Sequence, residues 1–496
     1  MTSLEDWTKQ AIEASRSFNE SGPLSGNLNK FRSTETAGVA TMNNILNFFD
    51  TDSYKVSMWK QLPKGTTRAM SYIEARGGAE EIKFFGLQYI LSTIKAPTIN
   101  EVRRAAYYSR LHFGRDDVFN YDGWMQLAEL GYLPLKVRSV REGEVYPTSV
   151  PLVTVENTIP GFEWLVTWFE TKLLRAWYPT TVATCSWEIR NLIMKHLELS
   201  GTPETIGFKL HDFGARGVSS EESATIGSMA HLLNFRGTDT LAGLMGAIEY
   251  YDADPSATAF SIPASEHSTI TSWGKDFETD AFRNMIEQFG GEGKIYACVS
   301  DSYDIWEALE KWKELEPLIL EKGGTLVVRP DSGDPVETPV KVIHRLIELF
   351  GCTVNEKGYK VLPDHIRVIQ GDGINYESIS DILDCLSWSY ISADNIAFGM
   401  GGALLQNHTR DDLKFAMKMC AITVDGVDRA VFKDPVTDPG KRSKKGYITT
   451  LVDDAGDIVY GREGSNDAEL YGDMMRTVWQ NGNFIGPKVN FQDICE

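Results

Sequence analysis

Between Gly207 and Val424 the chain repeats one pattern, and that pattern leaves few folds open. An apolar, β-branched run ends in small and charged residues, and a helix-like amphipathic stretch follows. The runs are "GFKLHDFGARG", "TAFSIPASEHS", "IYACVSDSYD", "TLVVRPDSGD", "IRVIQGDGI" and "YISADNIAFGMGG". Between them lie segments such as "DIWEALEKWKELEPLILEKG" and "PVKVIHRLIELFG". Strand and helix alternating at this spacing predict parallel βαβ units, hence an α/β barrel or a doubly wound sheet. Each run also puts Asp, Arg or Gly directly after the strand. Packing alone requires no such residues there, whereas α/β barrels build their sites on that rim. The strand exits read as a site.

The flanks read differently. Residues 132–160 alternate and are rich in Val and Pro, which suits antiparallel strands. Near the other end, "GYITTLVDDAGDIVYG" and "MRTVWQNGNFIG" carry Ala-Gly and Asn-Gly turn signals between β-type runs. The expected architecture is α/β, a (β/α) barrel-like core with a β-rich second domain built from both chain ends. Its segments are a polar extension over 1–41, an N-terminal part of the β-rich domain with helices over 42–180, the barrel over 181–424 and a returning segment over 425–496.

Composition narrows the function. The 496 residues are 42% hydrophobic, enough for large cores, with no run long and apolar enough to read as a membrane span. The start, "MTSLEDWTKQ", lacks the basic and apolar regions of a signal peptide. Six scattered cysteines without a C-x-x-C pair suit a reduced, cytoplasmic protein. A net charge of −20 repels nucleic acid and anionic membranes, so an anionic substrate must meet a local cluster of Arg and Lys.

No P-loop, H-E-x-x-H, G-x-S-x-G or complete dinucleotide fingerprint is present. What the rim offers suits phosphate and ribose. "FGMGG" brings the backbone of Gly401 and Gly402 within reach of an anion, and Arg410 follows. "VVRPDSGD" sets Arg329, a bidentate phosphate donor, beside Asp331, an acceptor for a metal-bridged hydroxyl. "VIQGDGI" holds Asp372 on a tight turn after Gly371, suited to ribose hydroxyls. "KLHDFGARGVSS" presents a ring, Phe213, and a cation, Arg216, that together could hold a flat heterocycle. His267 sits among hydroxyls and a carboxylate in "SIPASEHSTIT". Taken singly, each stretch reads equally well as a turn, a surface ion pair or a structural histidine; their agreement at six exits carries the weight.

These stretches, with "TDSYKVSMWKQLPKGTTRAMSYIEAR" (51–76), "FRGTDTLAG" (235–243), "VSDSYDIW" (299–306) and "VFKDPVTDPGKRSKKG" (431–446), resemble the nicotinamide phosphoribosyltransferases, type II phosphoribosyltransferases of pyridine nucleotide salvage. The resemblance runs from about Asn44 to the C-terminus. It implies transfer of phosphoribosyl from 5-phosphoribosyl 1-diphosphate to nicotinamide, with Mg²⁺ on the diphosphate and ATP as co-substrate. It implies that ATP phosphorylates His267, and that sites are shared across a homodimer.

Residue by residue, the resemblance implies that Phe213 and the partner subunit's Tyr54 sandwich the base. Arg216 lies beside it, and Asp239 accepts from the carboxamide. Arg329, Asp331, Gly371 and Asp372 become ribose and phosphate contacts, joined by Ser261 and Asp301, with Gly401, Gly402 and Arg410 around a phosphate. Arg76, Lys418, Lys433 and Lys441 become partner-side phosphate ligands, and His267, Asp331 and Asp372 carry the chemistry. Asp239 facing nicotinate would set two carboxylates together at a cost of several kcal/mol, which favours the amide. The chain departs from the pattern at Ala215, where an aromatic is expected, and at Ala416, where a Ser is expected. A nicotinate enzyme and a non-catalytic nucleotide or phosphate binder stay open as alternatives.

Overall fold

The computed structural model describes residues 46–437, 442–465, 468, 470 and 472–495; the expected extension over 1–41 and Lys441 lie outside them. Six strands form a sheet in the order Gly237–Thr238, Leu210–Asp212, Ile396–Met400, Ile366–Gln370, Thr325–Arg329, Ile295–Val299, every neighbour parallel. The two outer strands do not stay open. Phe260 bridges Gly237 and Ala264 bridges Ala297, both in parallel sense, so the segment 260–264 closes the ring. Closure removes the exposed edges that an open sheet would present.

The strands are short apolar runs because both faces are covered. Inward, Ala297, Val327 and Ile369 fill the barrel with Phe213, Ile262 and Ala397 against them. Outward lie the amphipathic helices. In Ile305–Lys322, Ala308, Leu309, Trp312, Leu315 and Ile319 recur at helical spacing and are buried. That helix starts where the Asp304 carboxylate accepts from the N–H groups of Trp306 and Glu307, and it stops at Gly323, whose φ of 78° a side chain would resist.

The second layer is a seven-stranded antiparallel sheet ordered Val427–Ala430, Ala416–Val424, Thr66–Glu74, Val153–Asn157, Leu135–Ser139, Arg476–Gln480, Asn483–Phe484. Strands from both ends of the chain therefore share one sheet. Asn481 and Gly482, at φ 50° and 85°, turn its last hairpin as a type I′ pair does. The strand Ala416–Val424, inside the range expected for the barrel, belongs to this sheet instead and pairs with Thr66–Glu74. Its run "AMKMCAITV" reads as a buried strand of either kind, and only the partner distinguishes them.

Candidate active site

Because the barrel strands run parallel, their C-terminal ends open on one side, and the residues after each end gather there. Phe213 follows Asp212, Asp239 follows Thr238, and Asp301 comes just past Val299. Arg329 ends its strand, with Asp331 two residues beyond. Gly371 and Asp372 follow Gln370, and Gly401 and Gly402 follow Met400. The closing segment carries Ser261 and delivers His267 to the first turn of the helix His267–Thr271.

At the centre is His267, held between two carboxylates. Its Nε2 lies 3.0 Å from Asp301 Oδ1, and its Nδ1 lies 3.7 Å from Asp331 Oδ2. Asp301 is the anchored member. Its second oxygen accepts from the Ser332 hydroxyl and, at 2.9 Å, from the Asp331 backbone N–H. Burial pushes the Asp301 carboxyl up, but these donors and His267 outweigh it and hold it below the ordinary carboxylate range. Asp331 goes the other way. Burial raises its carboxyl, Arg329 and His267 pull it down, Asp301 and Asp372 push it up, and the net shift is upward.

Arg329 stands 3.9 Å from Asp331 and donates from Nη2 to the Ser265 carbonyl at 3.2 Å. Its Nε is buried with no partner among the described residues, a donor left for a ligand oxygen. Across the mouth, the Asp239 carboxylate is exposed and accepts from the Ser261 hydroxyl at 2.5 Å. Phe213 lies half-buried over the barrel filling. Arg216 is exposed on the short turn Ala215–Gly217, and Gly217 sits against Gly402.

A second group is cationic. Lys418 stands on the antiparallel sheet opposite Tyr72. Burial lowers its ammonium, and the charges of Lys433, Arg76 and Arg410 lower it further, against Glu170 alone. Arg76, Lys418, Lys433 and Arg410 thus make one cationic patch in an acidic chain. Arg76 is fixed by its N–H to the Leu413 carbonyl and its Nε to the Lys414 carbonyl. Tyr54, 58% exposed, projects from the 3₁₀ segment Ser53–Lys60. Among the described residues, no hydrogen bond or ion pair joins Tyr54, Arg76, Lys418 or Lys433 to the His267 cluster. Ala215 is exposed, whereas Ala416 is buried in the sheet opposite Glu74.

Several positioning groups carry no signal a reading of sequence would single out. Asp212 is fully buried; it accepts from Gly214 N–H and the Thr238 hydroxyl, and its carbonyl accepts from Asp239 N–H. It thereby fixes both Phe213 and Asp239. The Ser265 hydroxyl accepts from Val299 N–H at 2.9 Å and ties the closing segment to the next strand. Ser332 anchors Asp301, and Gly399 lies directly against the Phe213 ring.

No group of three or more His, Cys, Asp or Glu side chains among the described residues is placed to hold a metal ion. Asp331 and the exposed Asp372 supply two hard carboxylates. That set fits magnesium, which usually takes one or two carboxylates together with substrate phosphates and water. No described helix is long and apolar enough to cross a membrane, and all six cysteines are free thiols.

Residues 208–483 match the model of the nicotinate phosphoribosyltransferase family, and residues 44–137 match the nicotinamide phosphoribosyltransferase N-terminal domain. The chain is 47% identical to the nicotinamide phosphoribosyltransferase of Xanthomonas campestris pv. campestris, over 90% of this chain and 96% of that protein. To the nicotinamide phosphoribosyltransferase of Acinetobacter baylyi it is 32% identical, over 87% and 93%. Its fold is similar to that of nicotinate-nucleotide pyrophosphorylase from Pyrococcus furiosus, with a TM-score of 0.60 at 14% identity, covering 93% of this chain and 96% of that one. Human nicotinic acid phosphoribosyltransferase gives a TM-score of 0.54 at 17% identity, covering 90% and 92%. At such identities the structural likeness speaks for the fold alone.

Proposed function

We propose, from the premise that this chain belongs to the nicotinate phosphoribosyltransferase family and is a phosphoribosyl-transferring enzyme, that its acceptor is nicotinamide and its product nicotinamide mononucleotide. The observation that carries the choice of base is Asp239. Its carboxylate is exposed at the mouth, steadied by Ser261 on one oxygen and open on the other. It can accept from a carboxamide, whereas a nicotinate carboxylate would meet a like charge at a cost of several kcal/mol.

The chemistry follows from the same rim. The base lies on Phe213 with its ring nitrogen toward C1 of 5-phosphoribosyl 1-diphosphate. As the new C–N bond forms, the bond from C1 to diphosphate breaks and positive charge grows on the ribose. Asp331 and Asp372 stand where carboxylates would stabilise that charge, while Arg329 and the Gly401–Gly402 backbone hold phosphate oxygens. Asp331 and Asp372, with the substrate's phosphates, would hold a magnesium ion, which would supply positive charge against the leaving diphosphate. His267, lodged between Asp301 and Asp331, accepts the γ-phosphoryl of ATP on a ring nitrogen as the bond to the β-phosphate breaks and ADP leaves, and the added charge of about −1.5 to −2 reorders the mouth. The reaction serves NAD salvage. Tyr54, together with Arg76, Lys418 and Lys433 of the cationic patch and with Lys441 as a phosphate ligand, completes the mouth of a second subunit in a homodimer with shared sites.

A steady-state assay tests this reading, with nicotinamide, 5-phosphoribosyl 1-diphosphate and Mg²⁺, with and without ATP, on the natural protein and His267→Ala. Mononucleotide formation that ATP enhances, with the enhancement lost in the variant, is the expected result. Turnover of nicotinate but not nicotinamide would refute the role given to Asp239. Product indifferent to ATP and to His267 would remove the phosphohistidine and leave the transfer.

A further inference from the structure

We propose that Gly399 is a positioning residue for the base, its missing side chain setting the seat of the Phe213 ring and hence the depth of the slot for a flat substrate. The inference rests on the reading above, in which Phe213 carries the base. A Cβ built on Gly399 would stand 1.9 Å from Phe213 Cε2, 2.2 Å from Cδ2 and 2.7 Å from Cζ. Carbon atoms do not approach so closely. Conformation is not what calls for glycine here, because Gly399 lies within the strand Ile396–Met400 and is absent from the positive-φ residues. In a strand interior, glycine is ordinarily a cost in chain entropy relative to alanine. The requirement is the space the ring takes.

The ring has no easy retreat. Phe213 N–H donates to the Met400 carbonyl at 2.9 Å, and Gly214 N–H donates to Asp212 Oδ1 at 2.7 Å, so the backbone is pinned on both sides. Ala297, Val327 and Ile369 fill the barrel against the ring. A Cβ on Gly371, at the neighbouring strand exit, would lie 3.3 Å from the same Cε2 and 3.6 Å from Asp331 Oδ1. The Cδ2–Cε2 edge therefore rests over two glycines. A methyl at 399 lifts that edge toward the mouth, into the room the base needs. It leaves Arg329, Asp372 and the Gly401–Gly402 turn where they are. Base binding and sugar-phosphate binding are thus separable by one methyl group.

The test compares four full-length proteins, the natural chain, Gly399→Ala, Phe213→Leu and the double variant, with nicotinamide and 5-phosphoribosyl 1-diphosphate varied separately. Overpacking of this size is expected to raise the nicotinamide KM about tenfold or more in Gly399→Ala, with the other KM within about twofold. Once the ring is gone, the added methyl should move the nicotinamide KM by less than about twofold, the non-additivity of groups in contact. An unchanged nicotinamide KM, an equal rise in both KM values, or the same rise with and without the ring overturns the proposal. Should the natural protein leave nicotinamide untouched, the functional reading fails instead, and the same comparison is read on the pyridine base it does take. Should Gly399→Ala not fold, Gly371→Ala decides: its milder clash predicts a smaller rise in the same KM, again abolished by Phe213→Leu.

Discussion

Asp301 and Asp331 face one imidazole with acidities displaced in opposite directions, and this makes the site legible to pH. As pH falls, Asp331 takes up its proton first, because its folded pKa is raised while that of Asp301 is lowered. The stability Asp301 contributes is present above the ordinary carboxylate pKa and is lost only as pH falls through its depressed folded value. The acid limb of kcat/KM, measured without ATP, is therefore expected to follow Asp331. Arg329→Gln removes a charge that lowers Asp331 and should move the limb to higher pH. Asp301→Asn removes one that raises it and should move the limb lower. Both variants lose rate, so the position of the limb is what counts; shifts in the same direction would refute the assignment. The strand exits were readable because Asp, Arg and Gly after an apolar run need a reason. Asp212, Ser265, Ser332 and Gly399 were not. Their work depends on groups far along the chain, such as Ser332 on Asp301 and Gly399 on Phe213.

Individual elements hold the exits in place through polar anchors inside the packing. Trp312, on Ile305–Lys322, stacks on Phe282 of the neighbouring helix at 4.2 Å and 13°. Its indole N–H donates to the Ser300 hydroxyl at 3.0 Å, and that hydroxyl donates to the Cys298 carbonyl. Ser300 immediately precedes Asp301. Ser300→Ala leaves a buried indole N–H without its acceptor, a loss of about 1–3 kcal/mol. The expected outcome is a lower denaturant midpoint at an unchanged slope, with kcat close to that of the natural protein. An unaltered midpoint would mean that the anchor contributes nothing to stability. The barrel's alternation was plain from sequence because the apolar runs are short and the helices long and amphipathic. Its closure was not. The segment 260–264 lies in the run "TAFSIPASEHS", but it contains Pro263 and joins its neighbours by two single bridges, so the run does not show which two edges it closes. The barrel range 181–424 takes in Ala416–Val424 because a strand buried on both faces reads alike in parallel and antiparallel sheets.

Across the whole molecule, the two chain ends meet in one sheet, and ion pairs pin them there. The buried Glu156 receives Arg68 and Lys136, while Arg138 reaches Glu463 and Asp473 from the returning segment. On this side stand Tyr54 and the cationic patch, unconnected to the barrel mouth of the same chain by any hydrogen bond or ion pair among the described residues. Burial depresses Lys418, and Lys433, Arg76 and Arg410 depress it further against Glu170, so with Asp411 on Arg410 the cations still outnumber the anions beside them. In the proposed shared-site dimer, phosphates bound at a partner subunit's mouth would supply further negative charge. Subunit mixing tests the geometry directly. Tyr54→Ala and His267→Ala should each be impaired alone, the second when assayed for ATP-enhanced turnover. In a shared-site dimer, a hybrid of the two variants places both defects in one mouth and leaves the other mouth intact. Random pairing after co-expression should then restore about one quarter of the natural ATP-enhanced rate, since half of the dimers are hybrids with one good site each. If Tyr54 instead served the mouth of its own chain, every mouth in the mixture would carry a defect. No rate above that of the separate variants would appear, and the shared site would have to be given up.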